Sequence, residues 1–68
     1  MYEKYAKHRD ELGLTDYKVA QMSGVLTSTL SEWKKHYETD GQSGYQPKLK
    51  KISAIASALG MSVTDFIN

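Results

Sequence analysis

The sequence predicts a small all-α domain of five short helices. Three observations carry that expectation. Apolar residues recur at three- and four-residue spacings, the period of an amphipathic helix. Glycines at positions 13, 24 and 60 stand where those patterns stop. No pair of alternating apolar runs flanks a hairpin turn, so strands are not expected. With 68 residues there is room for one domain, 1–68, and no internal repeat.

The first helix is read from about Tyr2 to Leu12, with Tyr2, Tyr5, Ala6 and Leu12 near one face and Gly13 as the stop. Thr15 is a good N-cap for the second, which starts at Asp16 and runs through Val19, Ala20 and Met22 to Ser23 before Gly24 ends it. The third starts near Thr27 or Ser28 and reaches about His36, with Leu30 and Trp33 inward. A loop from His36 to Gln46 follows, rich in Gly, Ser and Asp. Pro47 fits the first position of the fourth helix. There Leu49, Ile52, Ile55, Ala56 and Leu59 make the clearest amphipathic pattern in the chain. Gly60 stops it, and Ser62 or Thr64 caps a short fifth helix carrying Val63, Phe66 and Ile67. The expected core is Val19, Ala20, Leu30, Trp33, Leu49, Ile52, Ile55, Ala56, Leu59 and Phe66.

Composition narrows the function classes. There are no cysteines, so disulfide scaffolds and cysteine-ligated metal sites are excluded. No apolar stretch approaches the ~20 residues that span a bilayer. The start is polar from its third residue, so no signal peptide is expected and the chain reads as cytoplasmic. His8 and His36 have no nucleophile, acid pair or second ligand beside them in the pattern. No enzyme, metal, cofactor or small-molecule site is therefore expected. Net charge is only +1, but it is unevenly spread. Residues 1–33 carry four basic and five acidic groups, whereas 34–51 carry five lysines against Glu38 and Asp40.

The informative segment is Thr15 to Trp33. Two helices that cross steeply need a small residue at their approach, which Ala20 supplies. The turn between them needs positive φ, which Gly24 supplies without a Cβ clash. Val19, Val25, Leu30 and Trp33 close the inner side. This is a helix-turn-helix pattern, whose second helix can lie in a DNA major groove.

The segment resembles the helix-turn-helix of the XRE family, the Cro and lambda-repressor-like DNA-binding domains. Three flanking stretches resemble it too: His8 to Thr15, Ser31 to Lys35, and Ile55 to Val63 followed by Phe66 and Ile67. The likeness leaves out only residues 37–46. Three departures stand out. Leu26 replaces the usual Ser or Thr, Asp16 the usual phosphate-contacting Gln, and Lys34 a Glu that often pairs with the family's helix-one arginine, here Arg9.

The resemblance implies a compact lambda-repressor-like domain and a sequence-specific transcriptional regulator. It would be a repressor of phage type, binding a palindromic double-stranded operator as a weak homodimer. Thr27, Ser28, Thr29 and Glu32 would meet base edges. Thr15, Tyr17, Lys34, Lys35 and Lys48 would meet phosphates, Asp16 being unsuited to that by its charge. Val63, Phe66 and Ile67 would form the two-fold contact. The alternative is a protein-interaction module, such as an antitoxin or anti-repressor, with weak or no DNA binding.

Overall fold

Aromatic packing between the chain's two ends organises the fold. The computed structural model describes residues 1–40 and 47–67, the side chains of Asp40 and Ile67 excepted. Among them are five helices and no strand: α1 (Tyr2–Glu11), α2 (Asp16–Ser23), α3 (Thr27–Asp40), α4 (Leu49–Ala58) and α5 (Val63–Ile67). The Tyr5 ring stacks on Trp33 of α3 with centroids 5.3 Å apart. Tyr2 meets the same indole edge-on at 5.2 Å. Phe66 of α5 lies 6.4 Å from Tyr5. Offset and edge-on arrangements of this kind suit the ring quadrupoles. Val19, Ala20, Val25, Leu30, Ile52, Ile55, Ala56 and Leu59 complete the buried core.

The helix ends follow from local chemistry. The Leu14 N–H reaches the Arg9 carbonyl and the Gly13 N–H that of Asp10, which closes α1 around a glycine with positive φ. The same double bond pattern ends α4, from Met61 to Ala56 and from Gly60 to Ser57. The Thr15 hydroxyl accepts from the Lys18 N–H at 3.1 Å and caps α2 as expected. Of the two candidates before α5, Ser62 is the cap. Its N–H and hydroxyl both donate to the Asp65 carboxylate, at 3.0 and 3.2 Å. Those two bonds hold the Asp65 pKa below its usual range.

Several expectations need correction. Leu49 is 66% exposed, not core, because it stands in the first turn of α4, one turn before the buried Ile52. Leu12 is 50% exposed, since it caps α1 rather than continuing its inner face. Pro47 is buried and precedes the helix, with Lys48 at the N-cap. The Lys48 carbonyl accepts from the Lys51 and Ile52 N–H groups.

The third helix runs one turn beyond His36. No breaker occurs before Gly41, and Tyr37 adds its ring to Tyr2 at 5.1 Å. The Thr39 hydroxyl donates to the Lys35 carbonyl within that added turn. The remainder of the expected loop, 41–46, lies outside the described residues.

Candidate functional site

The turn between α2 and α3 fixes the candidate surface. It has three residues, Gly24, Val25 and Leu26. Gly24 adopts φ +78°, and its N–H reaches the Ala20 carbonyl at 2.9 Å. The Ser23 hydroxyl accepts from the Val25 N–H, and the Val25 side chain is buried, which pins the turn to the core. The third helix therefore leaves the turn in a determined direction. Leu30 and Trp33 are buried on its inner side.

Helical spacing then puts the other face outward. Ser28, Glu32 and Lys35, at i, i+4 and i+7, lie opposite Leu30 and Trp33, and all three are exposed. Thr27 is exposed at the edge of that face in the first turn, and Thr29 is half-buried on its other side. At the end of the face Glu32 Oε2 stands 3.6 Å from His36 Nε2. Ser31 belongs here as well: it is exposed, three residues after Ser28 and four before Lys35. Periodicity alone identifies it, although the motif does not. Lys34 is exposed on the flank of α3, and Lys48 is exposed at the head of α4.

The head of α2 holds the remaining expected contacts. Thr15 is exposed, and its hydroxyl accepts the capping bond while keeping a proton to donate. Tyr17 is 64% exposed, with its hydroxyl accepting from Gln21 Nε2 at 3.1 Å one turn on. Asp16 faces α1 instead. Its Oδ1 accepts from Arg9 Nη1 at 2.8 Å and from the Tyr5 hydroxyl at 2.6 Å. Arg9 also donates through Nε and Nη2 to Asp10.

Arg9 thus has acidic partners on α1 and α2. Burial opposes the Arg9 charge, and the bonds to Asp16, Asp10 and Tyr2 outweigh it. Burial, then the bond to Asp16, pushes the Tyr5 phenol well up.

The expected two-fold contact is revised at one residue. Phe66 is fully buried in its own core against Tyr5, so it has no surface to offer a second copy. Val63 is half-buried against that core. The Ile67 side chain lies outside the described residues.

Away from α3, an open groove of about 380 Å³ runs between α1 and the start of α5. Lys4, Lys7, His8 and Glu11 of α1 line it together with Met61 and Asp65, so it presents no single sign of charge. Among the described residues no cluster of His, Asp and Glu could hold a metal ion. No helix among them is long and apolar enough to cross a membrane. No family model, curated protein or solved structure matches this chain.

Proposed function

We propose that this chain binds double-stranded DNA sequence-specifically, with α2 and α3 as a helix-turn-helix and α3 in the major groove. One observation carries the reading. The polar, solvent-facing side of α3 starts directly at a short pinned turn and offers Thr27, Ser28, Ser31, Glu32 and Lys35 in a row. Hydroxyls can bond several base edges, a carboxylate accepts from cytosine N4, and lysines neutralise phosphate. Thr15, Tyr17, Lys34 and Lys48 are exposed and suit backbone contacts. A regulator of the XRE type, repressing by occupying promoter DNA as a dimer, is the role the sequence resemblance favours.

A second reading is a protein-interaction module. It is favoured by exposed apolar side chains on α2 and the turn that follows it: Tyr17 at 64%, Met22 at 48% and Leu26 at 68%. Selection of bound sites from random duplexes, followed by titration over a salt series, separates the two. DNA binding predicts an enriched sequence and a steep fall of affinity with salt, because neutralised phosphates release counterions. Absence of any enriched site would leave the protein-interaction reading standing.

A further inference from the structure

We propose that Leu26 is a specificity-determining residue that reads the C5-methyl group of a pyrimidine, thymine above all. The inference rests on the DNA-binding reading and names one base feature within it. Leu26 breaks two local rules at once. It occupies the position directly before α3, where Ser, Thr, Asp or Asn would satisfy a free helix N–H and leucine cannot. Its backbone does part of that work alone, the carbonyl accepting from the Thr29 N–H at 3.0 Å. Its side chain is also 68% exposed, although the buried Val25 beside it shows that the core reaches this turn. Local rules are broken chiefly where function repays the loss.

The position says what the return is. Leu26 is exposed in the turn directly before Thr27 and Ser28, the first residues of α3. Hydroxyls pair with either donors or acceptors and so discriminate weakly among bases. The thymine methyl is the apolar feature of the major-groove floor, and an apolar side chain is its complement. Leucine in that turn supplies the discrimination that the neighbouring hydroxyls lack. An isolated exposed leucine elsewhere on a surface would carry no such meaning. Leu49, at 66%, is an instance, standing in the first turn of α4.

Duplexes carrying the selected site, with each thymine replaced singly by uracil, test this directly, since only the methyl is removed. The parent protein is expected to lose about fourfold in affinity at one position, the effect of burying one methyl group. Leu26→Ala should bind the thymine and uracil duplexes equally at that position. Leu26→Ser should melt higher than the parent, by restoring the cap, and still lose the methyl preference. That pairing separates reading from folding.

Placing 5-methylcytosine at the same position should restore part of the affinity lost with plain cytosine, which marks the methyl as the group read. If no uracil duplex weakens the parent more than it weakens Leu26→Ala, the proposal is overturned, and Leu26 belongs with Tyr17 and Met22 on a protein-docking surface. Failure of the parent to bind any selected duplex would overturn the DNA reading itself and this inference with it.

Discussion

Asp16 sits at the head of α2 with both of its strong partners on α1, and that placement decides what it does. The Arg9 and Asp16 side chains are only 17% and 25% exposed, so their interaction is screened far less than a surface pair. Hydrogen bonds to charged groups of this kind contribute about 1.5–3 kcal/mol each. Asp16→Ala is therefore expected to cost about 2–3 kcal/mol in a urea melt, because it also leaves the Tyr5 hydroxyl without its acceptor. A loss under about 0.5 kcal/mol, the usual surface value, would show the pair to be decorative.

Tyr5 gives a pH signature to the same contact. Its phenol is pushed above the ordinary value of 10.0, first by burial and then by the Asp16 carboxylate. The folded chain therefore favours the protonated phenol. Stability from this group is complete below pH 10.0 and falls as pH rises above it. Tyr5→Phe should flatten the alkaline fall measured between about pH 9 and about pH 11.5. A smaller slope should remain from Tyr37, whose phenol is also raised, by its bond to Glu3.

At the scale of elements, the turn before α3 carries the most consequence. Gly24 has φ +78° and nothing within 4 Å of where a Cβ would stand. The cost of a side chain there is conformational rather than steric, about 1–2 kcal/mol for Gly24→Ala. Thermal melts should show that loss with the helix content retained. On α3 itself, Ser28→Ala and Glu32→Ala should each change preference at one base position by about 1–3 kcal/mol. Lys35→Ala should instead weaken all sequences alike and reduce the salt slope by about one unit. Selected-site libraries for the three variants decide between these outcomes. Preference shifted by Lys35→Ala alone would reverse the orientation of α3 in the groove.

Element boundaries were largely legible where a breaker marked them. Gly13, Gly24 and Gly60 each end a helix in the left-handed region, as their positions after apolar patterns indicate. Burial was less legible where periodicity had to be extrapolated past a terminus. Leu49 fits the inner stripe of α4 by spacing, yet among the described residues none covers the first turn enough to bury it. Phe66 reads two ways, as core from its apolar pattern and as part of a two-fold contact from the family resemblance; Tyr5 and the rest of the core enclose it completely, so the core reading holds. Such long-range aromatic pairing leaves no mark in local pattern. The same holds for the Arg9–Asp16 pair, which joins two helices seven residues apart in sequence.

The dimensions of the whole molecule constrain how it could read an operator. Its Cα extents are 27 × 24 × 23 Å. Half-sites of a palindromic operator lie ~34 Å apart, one turn of the duplex. One copy is too short to occupy both, so reading a palindrome requires two. Copies about 24 Å wide on ~34 Å centres leave their Cα envelopes about 10 Å apart, farther than in packed helices, whose axes lie about 8–10 Å apart, so only long side chains would bridge the gap. The shared surface is then small, and with Phe66 committed to its own core it is smaller still. An interface well under ~1,200 Å² gives weak association in free solution. DNA supplies the rest by holding two copies at high effective concentration. The protein is accordingly expected to be monomeric at micromolar concentration and to bind a two-half-site duplex cooperatively. Moving the half-sites apart by half a turn, ~5 base pairs, should abolish the cooperativity while leaving single-site affinity intact. Sedimentation of the free protein and titration of one-site, two-site and re-spaced duplexes measure each part. Equal affinity per half-site at both spacings would mean that copies bind independently and that the operator need not be palindromic.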